Sequence, residues 1–162
     1  MADVELVLRF FAMFDFQRDQ TITIKQITLK KYLNEYMSRM NKVDNETLSR
    51  YSSIFVESMS LIHKTIGKNA FRNLTKITEK KPIQQYTSAF HPAIFDAIGQ
   101  AAAYIVENNI AIPEDVNYEN AHKILLNNED FMDCISVRTT NVDKIKRRIN
   151  LAAQLLFNVH ME

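Results

Sequence analysis

Residues 4–14 read Val-Glu-Leu-Val-Leu-Arg-Phe-Phe-Ala-Met-Phe, and Glu5 and Arg9 are their only charges. A segment this apolar is stable only where other segments wrap it, which makes it a buried helix at the heart of a helical domain. Asp3 stands where it can cap that helix, and Glu5 lies near its positive end. Glu5 and Arg9 are four apart, the favourable orientation for an intrahelical pair. Arg9 then has three readings. It forms with Glu5 the one polar edge of the helix, or it is buried against an acid of another helix such as Asp96, or it is a functional guanidinium.

The rest of the chain fits the same class. At 162 residues it is expected to be one domain with a substantial core. Two Gly and three Pro are too few for a hairpin-rich β fold, which needs turn residues at short intervals. One cysteine, Cys134, excludes an internal disulfide framework and fits a reducing compartment. No signal peptide and no uncharged apolar run of about 18 residues is present, so a cytoplasmic location and no membrane partner are expected.

The net charge of +1 argues against a strongly basic nucleic-acid binder. The charge is uneven, however. Residues 64–81 hold six basic side chains against Glu79, residues 138–148 hold five against Asp143, and residues 107–133 hold seven acids against Lys123.

Outward from the first helix, residues 15–28 read as a connector. Thr21 to Ile24 alternate like a short strand, but the chain offers them no evident partner. Thr28 is an expected N-cap for a helix over 29–40, with Leu29, Tyr32, Leu33, Tyr36, Met37 and Met40 inward. A long helix is expected over 46–66, with Leu48, Tyr51, Ser52, Phe55, Met59, Ile62 and Ile66 inward and Gly67 as its C-terminal cap. A short helix around 69–74 and a long loop over 75–90 follow. Pro92 opens a central helix to 106, whose small residues allow close packing. Shorter helices are expected from 117 or 118 to 126 and over 128–135, and a last one over 142–159. The expected fold is all-α, an orthogonal bundle of about seven helices with no sheet.

Chemistry is sparse. No metal-ligand spacing joins His63, His91, His122 and His160, and Gly67 and Gly99 alone build no phosphate loop, so no metal, cofactor or catalytic residue is expected. Glu129, Asp130 and Asp133 cluster at a helix N-terminus, where the dipole stabilises acids. The best binding candidate is the basic helix with Lys144, Lys146, Arg147 and Arg148, read either as a solvated face or as a phosphate contact to DNA. No aromatic is interleaved, so base stacking is not indicated there.

Five segments, in order, carry a resemblance. They are Asp-Val-Glu-Leu-Val-Leu-Arg-Phe-Phe-Ala at 3–12, Leu-Lys-Lys-Tyr-Leu-Asn-Glu-Tyr-Met at 29–37, Ile66-Gly67 with Ala70-Phe71-Arg72, Ala93-Ile94-Phe95-Asp96-Ala97, and 139–149 ending in Lys146-Arg147-Arg148-Ile149. Together they resemble the helical region of GmrSD-type, modification-dependent restriction endonucleases. In that family nucleotide-dependent chemistry belongs to a ParB-like domain with an Asp-Gly-Gln-Gln-Arg motif, and nuclease chemistry to a His-Asn-His domain. Neither motif occurs here, so the resemblance implies the helical segment alone, from a split gene or a truncated form, and no catalytic residue carries over. The implied role is a non-catalytic module of a restriction or antiphage system that positions catalytic domains or contacts DNA. Two alternatives stand beside it. One is an interaction module docking to a separate ParB-like domain through an apolar patch near 4–14 or 92–106. The other is a small enzyme whose site is assembled only in the fold.

Overall fold

A computed structural model describes residues 2–19, 23–80 and 82–161. The described residues form an all-α bundle of seven helices with one two-stranded sheet. The helices are α1 (Ala2–Arg18), α2 (Leu29–Met40), α3 (Asn45–Thr65), α4 (Pro92–Glu107), α5 (Tyr118–Asn127), α6 (Glu129–Ser136) and α7 (Val142–Phe157). No helix among the described residues is long and apolar enough to cross a membrane.

The centre is α4. Twelve of its sixteen residues are buried, because Ala, Gly and Ile run around most of its circumference. Helices α1, α3 and α7 pack on it, and α5 and α6 close the far side of α7. Gly99 faces the Phe10 ring of α1, and a Cβ there would lie 3.4 Å from it, in ordinary contact. From α1, Phe10 and Phe14 pack with Ile54 of α3 and Phe95 of α4, while Met13 and Phe16 join Ile27, Ile145 and Ile149. Each such aromatic or aliphatic burial contributes about 1.5–3 kcal/mol.

Local signals set the helix ends. Asp44, Asn117 and Asn128 accept from backbone N–H groups of the first turns of α3, α5 and α6 at 2.7, 2.9 and 2.9 Å. Asn141 does the same for α7. Gly67 follows α3 with φ +75°, and Asn158 follows α7 at φ 55°, both in the left-handed conformation that ends helices.

Several expectations are corrected. The first helix runs on to Arg18, and it begins at Ala2, ahead of Asp3, whose side chain lies outside the described residues. Thr21 and Ile22 also lie outside them, and the connector pairs further along, at residues 25–27. Ile27 donates to the Thr140 carbonyl and Val142 to the Lys25 carbonyl, each at 3.0 Å, so it bridges to the turn before α7. Thr28 makes no side-chain cap bond. In α3 the buried residues are Ile54, Ser58 and Ile62, whereas Leu48 is exposed, so the inner face is rotated from the expected one.

The expectation of no sheet, and of a short helix at 69–74, also gives way. A single 3-10 turn (Gly67–Asn69) leads into β1 (Arg72–Leu74), which pairs antiparallel with β2 (Tyr86–Phe90). Residues 75–85 are thus the connection of a hairpin. Thr75 closes it by donating to the Gln85 carbonyl at 2.8 Å.

Candidate functional site

Arg148 carries the largest correction. It stands on α7 between Ile145 and Ala152, three residues from one and four from the other, which is the inward stripe. It is 1% exposed, and so is Asp96. Its Nη2 donates to Asp96 Oδ2 at 2.9 Å and its Nη1 to the Thr139 carbonyl at 2.7 Å. Arg9 reaches the same carboxylate from α1, with Nε on Oδ1 and Nη2 on Oδ2, both at 2.6 Å. Three helices are therefore tied by one carboxylate between two guanidinium groups. The reading of Arg9 as a buried partner of Asp96 holds.

The two arginines respond in opposite directions. Burial pulls the Arg9 pKa down, but its Asp96 hydrogen bonds and charge, with Glu5, leave it raised. Arg148 ends lowered, because deeper burial and the Arg9 charge outweigh its single contact with Asp96. His91, just before α4, has an imidazole whose pKa burial lowers, with Arg148 adding to the effect. It has no hydrogen-bond partner at the buried Nδ1. A neutral imidazole is what a cluster already holding two cations and one anion tolerates.

The rest of the basic helix divides. Lys144 pairs with Asp133 at 2.8 Å and donates to the Val137 carbonyl at 2.9 Å, so it closes the end of α6. Arg147 pairs with Asp130 at 2.5 Å. The acidic cluster at the start of α6 is thus folded onto the basic helix. Exposed pairs of this kind are screened by solvent and stabilise the fold little, but they neutralise two of the four cations expected to face a phosphate backbone. Lys146 alone is exposed and without an ion-pair partner among the described residues. The earlier basic run differs: Lys64, Lys68, Arg72, Lys76 and Lys80 make no ion pair with any described carboxylate, and Lys81 lies outside the described residues.

Lys146 opens onto a cleft of about 390 Å³ at the meeting of α1, α4 and α7. Its wall is mostly polar, with Gln17, Gln100, Asn108 and Asn150 as amides and Arg18 and Glu107 as an ion pair.

A different surface lies on the outer side of α1. A shallow cleft of about 430 Å³ is lined only by Val4, Val7, Leu8 and Phe11. Val4 is 74% exposed. The cleft continues into a groove between α2 and α3 walled by Tyr36, Met37, Met40, Leu48 and Phe55, with Val7, Leu8 and Phe11 shared.

No group of His, Cys, Asp and Glu among the described residues comes together as a metal site. Cys134 is buried, and burial first, then Asp133, pushes its thiol pKa up, away from nucleophilic reactivity. His122 is 0% exposed and neutral; burial lowers its pKa to about 4, and its Nδ1 lies 3.1 Å from the Tyr86 hydroxyl.

No protein-family model, curated protein or solved structure matches this chain. Function is therefore read from these side chains and from the five ordered motifs. The amide-lined cleft escaped sequence reasoning, because Gln17, Gln100 and Asn150 come from three distant segments. One signal was available: Gln100 is a lone amide in the most apolar helix of the chain.

Proposed function

We propose that this chain is a non-catalytic helical docking module of a GmrSD-like restriction or antiphage system, and that its occupant is a ParB-like domain seated on the outer side of α1. One observation carries the reading. Val4, Val7, Leu8 and Phe11 form an uninterrupted apolar face that continues into the α2–α3 groove. An apolar cleft that opens into a groove between helices offers a partner a place to bury apolar side chains. The five motifs supply the identity of the partner. Contact with DNA through α7 has less support, since Arg148 is buried and Lys144 and Arg147 are paired.

The test is titration of the chain with a purified ParB-like domain of a GmrSD-type enzyme, followed by calorimetry. Micromolar binding is expected, and Val4→Glu with Val7→Glu should abolish it while leaving the circular dichroism spectrum unchanged. Absence of binding at the highest attainable concentration, or binding indifferent to both substitutions, overturns the docking reading. A parallel salt titration with labelled duplex DNA decides the other role. Duplex binding that weakens steeply with salt and falls when Lys144, Lys146 and Arg147 become Ala would transfer the function to DNA contact.

A further inference from the structure

The cleft between α1, α4 and α7 is distinct from the apolar face and from the buried Arg–Asp–Arg cluster. Its floor is Gln100, only 2% exposed in the middle of the central helix. A buried amide is costly unless its groups are used. Gln100 commits its nitrogen to the Phe10 carbonyl at 2.8 Å, which leaves its carbonyl oxygen as the group it can offer. Gln17 in the same wall has the opposite need. Its Nε2 is buried and has no acceptor among the described residues. An acceptor-hungry donor and an available acceptor thus stand in one polar cleft, with Asn150 adding a second amide edge from α7.

The charges narrow the ligand. Arg18 lies over the Phe14 ring at 3.3 Å, donates to the Phe14 carbonyl at 2.7 Å and pairs with Glu107. It is used up in closing the end of α1. Both α1 and α4 finish at this cleft, and helix C-termini repel anions, so the α7 wall is where a negative group is tolerated. Among the described residues of that wall, Lys146 is the one cation without an ion-pair partner. The site therefore suits one negative group at Lys146 and a neutral body with mixed donors and acceptors deeper in. Asn and Gln side chains match the donor–acceptor edge of a nucleobase, which offers both groups in one plane. The cleft volume of about 390 Å³ falls at the small end of ligand pockets, which suits a mononucleotide rather than anything longer.

We propose that this cleft binds a nucleoside monophosphate, with the base edge on Gln17, Gln100 and Asn150 and the phosphate on Lys146.

The test uses the full chain and adenosine, cytidine, guanosine and uridine monophosphates, each followed through the side-chain amide resonances of the Gln and Asn residues. At least one nucleotide is expected to shift Gln17, Gln100 and Asn150 at millimolar concentration or below. Lys146→Ala should weaken that nucleotide by about tenfold or more and leave the parent nucleoside unaffected. Gln17→Leu should abolish both while leaving the melting temperature unchanged or raised, because it deletes a buried donor that the free protein leaves unpaired. No shift with any of the four overturns the proposal. So does the same pattern of shifts with inorganic phosphate alone, or nucleotide binding that survives Gln17→Leu.

Discussion

Asp96→Asn is the substitution that most directly tests how this bundle is held together. It keeps the shape of the side chain and removes only the charge that lies between Arg9 and Arg148. Arg148 is 1% exposed, so its guanidinium has no water to turn to. Removing one partner of a buried ion pair costs about 3–5 kcal/mol, since the other charge stays behind uncompensated. At this chain length a change of 1 kcal/mol moves the melting temperature by about 2–4 °C, so a fall of roughly 6–20 °C is expected. Thermal and urea unfolding followed by far-ultraviolet circular dichroism would measure it. Arg148→Met should cost less than Asp96→Asn, because Asp96 would keep both of its Arg9 hydrogen bonds. Replacing Arg9, Asp96 and Arg148 together by apolar residues of similar volume should be near neutral or stabilising. A loss below about 1 kcal/mol for Asp96→Asn, the range of an exposed pair, would refute the view that the cluster is a desolvated tie.

Three further expectations follow from other buried groups. His122 has a folded pKa of about 4 against an ordinary 6.5, so the folded state resists the proton that the unfolded chain accepts. Its contribution is complete above pH 6.5 and lost on acidification towards pH 4, amounting to about 3 kcal/mol. His91 acts with the same sign. The pH dependence of urea unfolding should flatten over that window in His122→Gln, and an unchanged profile would rule the site out as its source. Gly99→Ala should raise stability by about 0.5–1 kcal/mol, because the new methyl meets Phe10 at 3.4 Å, an ordinary contact, and the helix gains propensity; a lowered urea midpoint would show that α1 and α4 cannot accept it. Cys134 should react with an aromatic disulfide only as fast as the protein unfolds, since it is buried and its thiol pKa is raised; rapid labelling of the native protein would contradict its burial.

The helices were legible in the sequence to within a few residues where end signals and periodicity agreed, as with Pro92 opening α4. The sheet was not. A three-residue strand carries no periodicity of its own, and β1 is defined only by its pairing with β2 across residues 75–85. Leu48 was misplaced because it shares helical spacing with Tyr51, Phe55 and Met59, and only the position of α4 decides which edge of that stripe is covered. Arg148 was misread for a related reason. Four cations within five residues look like one charged surface, yet at 100° per residue they cannot all face outward. Its spacing from Ile145 and Ala152 already put Arg148 inside, and the missing element was the acid that makes this tolerable. That acid, Asp96, is 52 residues away.

The same cluster bears on docking through α1. This helix has two apolar faces with opposite surroundings. Phe10 and Phe14 pack inward beside Arg9, while positions 4, 7, 8 and 11 line the cleft on the other side, where Leu8 and Phe11 are half-buried against α2 and α3 and Val4 is exposed. Packing on α2 and α3 accounts for Leu8 and Phe11, and leaves Val4 and the edge of Val7 as the apolar surface open to a partner. Arg9 holds Asp96 through two hydrogen bonds in a fixed fork, so α1 cannot roll towards the outer side without breaking both. The outer stripe is therefore presented in a fixed orientation before any partner arrives. Covering it would gain about 25 cal/mol for each Å² of apolar surface removed from water. Against that gain stands mainly the lost rigid-body freedom of two folded domains, with little added cost for ordering α1.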